Sequence, residues 1–241
     1  FWPAMEQLVN TAHEHWRSNG QFSPNIIVRL ASGGYIQGGI YHSQSIEGVL
    51  ANIPGLRIVM PAFAEDAAGL LRCAFRTRGI TIYLEPKYLY NHPRAKTGYP
   101  TPELCVPIGR ARVRRDGTAL SIVTYGNTVH LALQAADALA AEGIDIEVLD
   151  LRSILPFDRE AIAATVRKTG KALVLHEASL TGGFGGELAA WIGEHCFEYL
   201  DAPVRRCASQ DAPVGFAKVL EDAILVGSDD VRDAARALAQ Y

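Results

Sequence analysis

The feature that most narrows what this chain can fold into is alternation. β-Branched runs of strand length keep giving way to amphipathic segments of helical period. Asn25–Leu30 (NIIVRL), Arg57–Pro61 (RIVMP) and Ile80–Leu84 (ITIYL) read as strands in the first half, the first of them fit for a buried position. Leu120–Tyr125, Asp145–Asp150, Lys171–His176 and Pro203–Ala208 do so in the second. Between them lie helical stretches. In the opening one, Phe1, Met5, Leu8, Val9, Ala12 and Trp16 share a face. Ser43 or Ser45 is expected to cap a short helix that runs through Ile53, because a serine oxygen accepts free N–H groups there. Others span Glu65 to Arg76, Thr128–Glu142, Asp158–Lys168 with Gly170 as its stop, Gly185–Leu200, and most of the chain from Phe216. A helix between two strands returns the chain to the same end of the sheet, so the strands run parallel. Both halves are therefore expected to be α/β, with mainly parallel sheets flanked by helices. The stretch from Tyr88 to about Leu104, with three prolines and a glycine in NHPRAKTGYPTPEL, breaks the rhythm and reads as a linker. The expected division is 1–90, a linker over 91–118, and 119–241.

Composition removes several function classes. With 23 Lys+Arg against 26 Asp+Glu the net charge is −3, which offers no general basic field for nucleic acid. No apolar run approaches the ~20 residues that span a bilayer, so no membrane role is expected. Cys73, Cys105, Cys196 and Cys207 contain no C-x-x-C pair and suit reduced thiols in an intracellular protein better than a disulfide framework or a zinc site. The run Thr181-Gly-Gly-Phe-Gly-Gly186 opens a helix after a strand, yet Leu188 stands where a dinucleotide fingerprint needs its third glycine. A tight loop with close backbone packing is the better reading.

The seven histidines sort themselves by context. His13 and His15 fall on different faces of one helix, and His195 lies in another. His92 and His130 show no partner in the sequence. His176 ends a strand beside Glu177 and reads as a satisfied structural residue. His42 differs. It follows the Gly-rich stretch 33–39 and is flanked by Tyr41, Ser43, Gln44 and Ser45, polar neighbours able to set its tautomer. An imidazole placed so can deliver protons near neutrality. No nucleophile elbow accompanies it, so hydrolase chemistry has little support.

Three runs in the first half carry a resemblance: Gly38-Gly-Ile-Tyr-His-Ser-Gln-Ser45, Pro54-Gly55 with Ile58-Val-Met-Pro61, and Leu84-Glu-Pro-Lys-Tyr-Leu-Tyr90. Four in the second agree in order: Thr124-Tyr-Gly126, Glu147-Val-Leu-Asp-Leu-Arg-Ser-Ile-Leu-Pro156, His176-Glu-Ala178 and Asp201-Ala-Pro203. Together they resemble the β subunit of thiamine-diphosphate-dependent 2-oxoacid dehydrogenases, the E1 component.

The resemblance implies two transketolase-like domains, part of a pyrimidine-binding domain followed by the C-terminal domain. It implies oxidative decarboxylation of a 2-oxoacid and acylation of the lipoyl group of E2, within an α2β2 heterotetramer that also meets the lipoyl and subunit-binding domains of E2. The HEA-x-LTGGFG form leans toward branched-chain 2-oxoacids such as 2-oxoisovalerate. Thiamine diphosphate is shared with the α subunit, which holds the diphosphate and magnesium. His42 takes the role of proton donor in lipoyl acylation, with Tyr41, Ser43 and Gln44 in support. The glutamate that grips the aminopyrimidine is expected in the segment before Phe1, so this chain alone is expected to be inactive. Some relatives hold potassium near the strand matching Pro24–Ile27; here Thr77 and Gly79 stand where they have acidic or amide residues, which speaks against potassium. The implied location is cytoplasmic in a bacterium and the mitochondrial matrix in a eukaryote. The alternative is a truncated, non-catalytic paralogue that serves as an assembly or E2-docking scaffold.

Overall fold

The computed structural model describes residues 2–241; Phe1, with which the opening helix is expected to begin, lies outside them. A first helix α1 (Met5–Arg17) leads to β1 (Asn25–Ser32), two short helices α2 (Gly39–His42) and α3 (Glu47–Ala51), β2 (Leu56–Val59), α4 (Ala64–Phe75) and β3 (Gly79–Pro86). The second half runs β4 (Arg112–Arg115), β5 (Leu120–Thr124), α5 (Thr128–Ala140), β6 (Ile146–Asp150), β7 (Ser153–Leu155), α6 (Arg159–Thr169), β8 (Ala172–Ser179), α7 (Gly185–His195), β9 (Arg205–Ser209), α8 (Lys218–Ile224) and α9 (Ser228–Ala239). Two sheets result, ordered β1-β3-β2-β7 and β4-β6-β5-β8-β9. The strands read from sequence pair in parallel, as helical crossovers require.

Four expectations need correction. The stretch 91–118 is not all linker, because Arg112–Arg115 pairs antiparallel with β6. β7 crosses to the first sheet and pairs antiparallel with β2, so the second half of the chain completes a sheet begun by the first. β1 is an edge strand among the described residues, and Ile26 is left exposed rather than buried. No serine caps a helix through Ile53. Ser43 follows α2 and Ile46 precedes α3 without a side-chain cap, because Gln44 O accepts the Gly33 N–H and draws the chain out of helical register.

The main apolar core ignores the boundary between the sheets. Leu50, Ile58, Ile80 and Ile82 of the first sheet region share one buried cluster with Val123, Leu149, Val166 and Val174 of the second. A smaller cluster packs α5 and α9 on the far face of the second sheet through Ala132, Ala136, Leu139, Val231 and Ala235. A buried charge network reinforces the seam. Arg114 on β4 meets Asp66 on α4, donates to Asp150 Oδ2 through Nη2 at 2.8 Å, and lies 4.2 Å above the Phe63 ring. Arg152 donates to Asp66 Oδ1 at 3.0 Å and to the carbonyls of Arg110 and Ala111.

Candidate functional site

Beyond β1 the chain leaves the sheet at Gly33 and returns at Gln44, where the Gly33 N–H donates to Gln44 O at 2.9 Å and closes an Ω-like loop. Gly33 has φ +85°, and a side chain there would run into the Glu177 carboxylate, so glycine is required on two grounds. Tyr35 and Gln37 also take left-handed conformations, at φ +62° and +54°, which side chains other than glycine adopt only when something holds them.

What holds the loop comes from the other half of the chain. Gly34 N donates to Glu177 Oε1 at 2.5 Å. The Tyr35 hydroxyl donates to Val226 O at 2.7 Å. Ile36 N and Gln37 N donate to Glu221 Oε1 at 3.1 and 2.9 Å. Phe216 lies within van der Waals reach of Gly39, about where a side chain there would make contact. Further along, Tyr125 donates its hydroxyl to Glu47 at 3.1 Å, a third buried glutamate shared between the halves.

The loop carries every site residue read from the sequence. Tyr41 and His42 end α2 and are exposed, Tyr41 at 81%. Ser43 is buried with its hydroxyl unpartnered, and Gln44 reaches Ile40 O at 3.4 Å. Ser43 and Gln44 line a cleft of about 600 Å³ together with Ile40, Glu177, Asp211 and Leu225, while His42 stands beside them at the surface. The three buried glutamates escaped the sequence analysis. Glu177 had a signal, because it follows His176 at a strand end and neighbours in a strand face opposite ways.

His176 is wholly buried, bracketed by the glycines of the 181–186 loop at positions where added side chains would collide with its ring. Neither of its nitrogens meets a partner in ordinary geometry, which corrects the expectation of a satisfied histidine. Burial, with Arg206 nearby, pushes it down to about 4 and keeps it neutral. His92 and His130 do have partners. His130 Nε2 donates to Ala62 O at 2.8 Å, and His92 accepts from Arg94 N while packing 4.7 Å from the Tyr88 ring.

Burial pushes the Glu177 carboxyl up to about 7; the Gly34 N–H and Lys87 oppose this, and Glu47 and Glu221 add to it. Because this value lies above that of an unfolded glutamate, the stability it contributes is whole below about pH 4.5 and is lost as pH rises through 7. Glu177→Gln keeps an acceptor for Gly34 and cannot ionise. Its denaturation midpoint relative to the unaltered chain is therefore expected to improve between pH 5 and pH 8, by roughly 2 kcal/mol. A difference that does not change with pH would show that Glu177 does not titrate in this range.

Glu47 and Glu177 are buried, and Glu221 is committed to two amides. Among the described residues no group of three or more His, Cys, Asp and Glu side chains is arranged to hold a metal ion. In the turn that holds Thr77 and Gly79, Cys73 O accepts from Thr77 Oγ1 and Pro24 O from Gly79 N. No described helix is long and apolar enough to cross a membrane.

Comparison with known proteins gives this geometry a context. Residues 7–93 match the family description "Transketolase, pyrimidine binding domain", and residues 109–231 match "Transketolase, C-terminal domain". The chain is 42% identical over 241 residues to the 2-oxoisovalerate dehydrogenase subunit beta of Bacillus subtilis, covering 99% of this chain and 73% of that protein. It is 41% identical to the corresponding subunit of Pseudomonas aeruginosa, over 90% of this chain and 65% of that one. It is 38% identical to the mitochondrial pyruvate dehydrogenase E1 component subunit beta-2 of Oryza sativa subsp. japonica, over 97% and 62% respectively. The chain thus spans roughly two thirds of the length of these relatives. Among solved structures, a split-gene transketolase described as an inactive β4 tetramer shares the fold, with a TM-score of 0.71 at 24% identity over 97% of this chain and 74% of that one. With both transketolase domains matched in order and its relatives aligned across nearly its whole length, the chain belongs to the E1 β-subunit family of the 2-oxoacid dehydrogenases.

Proposed function

We propose that this chain works as the β subunit of an E1 component. Paired with an α subunit in an α2β2 heterotetramer, it takes part in oxidative decarboxylation of a branched-chain 2-oxoacid, 2-oxoisovalerate foremost, and in acylation of the lipoyl group of E2. Family membership implies thiamine diphosphate and a metal shared with the α subunit; the proposal gives magnesium to that subunit and includes no potassium. The observation that carries the reading is His42: it is exposed on a loop whose shape is dictated from both halves of the chain. A buried histidine would serve packing. One held at the surface beside a cleft is placed to meet a mobile arm.

The role follows from the imidazole. When the lipoyl disulfide opens, the sulfur that leaves as a thiolate needs a proton, and an imidazole side chain within reach of that sulfur is a group able to deliver one. Tyr41 offers an exposed aromatic face for the arm, Gln44 shapes the backbone beneath it through Ile40 O and the Gly33 N–H, and Ser43 is buried below. The lipoyl and subunit-binding domains of E2 are the partners this surface would meet.

The test is to produce the β chain from its whole reading frame with its α subunit and compare 2-oxoisovalerate, pyruvate and acetoin as substrates. The kcat/KM for 2-oxoisovalerate is expected to exceed that for pyruvate by about tenfold or more, the scale on which an apolar pocket separates side chains of different size. An assembled pair that turns over none of the three would sink the enzyme reading and leave the scaffold.

A further inference from the structure

The Gly33–Gln44 loop is held at four successive points by the second half of the chain, and one hold differs from the rest. Glu177, Val226 O and Phe216 each secure a single residue: Gly34, Tyr35 and Gly39. Glu221 alone takes two consecutive amides, Ile36 N and Gln37 N, on one oxygen. Those amides sit between the two left-handed residues that are not glycine, Tyr35 and Gln37. Successive N–H groups turned inward in this way make a concave donor pair that an anion fills. Glu221 is 2% exposed and comes from α8, which follows the exposed Phe216. The loop then has only Gly38 before α2, which opens at Gly39 and carries the chain to Tyr41 and His42. A carboxylate buried at that place specifies a loop shape that the local sequence disfavours.

We propose that Glu221 is a positioning residue for His42: by receiving the Ile36 and Gln37 amides it holds the strained loop in the shape that presents the imidazole beside the cleft. The inference rests on the reading of His42 as the proton donor in lipoyl acylation. Glu221 touches no reacting atom and acts only through the loop.

The experiment uses the α/β pair and measures acylation of a free lipoyl domain, together with hydrogen exchange of the amides of residues 35–42. Glu221→Ala removes the acceptor and is expected to slow acylation by at least about tenfold and to speed exchange across the loop. Glu221→Gln keeps a carbonyl oxygen in the same place and is expected to hold acylation to within about threefold of the unaltered pair. If the alanine variant fails to fold, Glu221→Asp, which withdraws the carboxylate by one methylene, replaces it with the same expected pattern. The deciding step puts the change into a His42→Ala background. A residue that acts through His42 costs nothing further once the imidazole is gone, whereas a general structural role adds its own loss. An additive loss, or a glutamine variant as damaged as the alanine one, overturns the proposal while leaving the His42 reading intact. If His42→Ala alone acylates at the full rate, the His42 reading fails and the positioning role falls with it.

Discussion

Replacing Arg114 by leucine is expected to destabilise the fold by about 3–5 kcal/mol, the cost of stripping one partner from a buried ion pair. Its side chain is only 7% exposed, and it faces two buried carboxylates at once, Asp66 from α4 and Asp150 from the end of β6, with the partly exposed Glu65 3.8 Å away. Arg152 covers one oxygen of Asp66 and nothing of the Asp150 carboxylate except through its own backbone N–H. Leucine would therefore leave Asp150 fully buried without a cation. Burial already pushes Asp150 up to about 6, with Arg114 as the largest influence pulling it down. Without Arg114 that carboxyl rises further and takes a proton, so the sign of the pH dependence follows. A raised carboxyl contributes stability at low pH and loses it as pH rises through its folded value. The deficit of Arg114→Leu is expected to be smaller at pH 5 than at pH 8. Arg112→Ala is the control, since its pair with Glu65 is half exposed and worth less than about 1 kcal/mol. Urea midpoints of both variants at the two pH values check the result. A deficit for Arg114→Leu no larger than the control's would show that the seam between the sheets rests on apolar packing alone.

His42→Ala carries the other large effect. In the α/β pair it is expected to lower the rate of lipoyl acylation by about 10²- to 10⁴-fold, the usual worth of a placed general acid. Turnover of the 2-oxoacid coupled to a small artificial oxidant, which needs no proton at a lipoyl sulfur, should fall far less. Tyr41→Ala serves as a companion. Its ring is exposed and its hydroxyl makes no hydrogen bond among the described residues, so its loss should raise the KM for the lipoyl domain more than it lowers kcat. Equal losses of both half-reactions in His42→Ala would place the imidazole elsewhere in the sequence of steps.

The parts of this fold that were legible in the sequence are those that physics writes locally. Ile80–Leu84 and Leu120–Tyr125 are apolar, β-branched and flanked by turn residues, and they became central strands. Asp158 and Gly170 bracket α6 as a cap and a left-handed stop, each through its own residue chemistry. The strands that went unread had no such signal. Arg112–Arg115 is nearly all charge and becomes a strand only because β6 offers it a free edge and Asp66 and Asp150 neutralise Arg114. Ser153–Leu155 is too short to show a period, and its pairing with β2 is a tertiary event. The same division holds at the site. His42 and its neighbours could be read because they lie together in the chain. Their anchors could not: Glu177 lies 143 residues from Gly34, and Glu221 lies 185 from Ile36. The failed cap at Ser43 has that origin too, since the Gly33–Gln44 bond closes a loop that local propensity does not encode.

The proposed role of the chain meets its most direct test in the mass of a lipoyl domain. The gene-encoded β chain is assembled with its α subunit, supplied with thiamine diphosphate, magnesium and 2-oxoisovalerate, and mixed with the lipoyl domain of its E2. The domain is expected to gain the branched acyl group, and to gain it far more slowly when His42 is alanine. A fully assembled pair that leaves the lipoyl domain at its starting mass would contradict the assignment of this chain to catalysis.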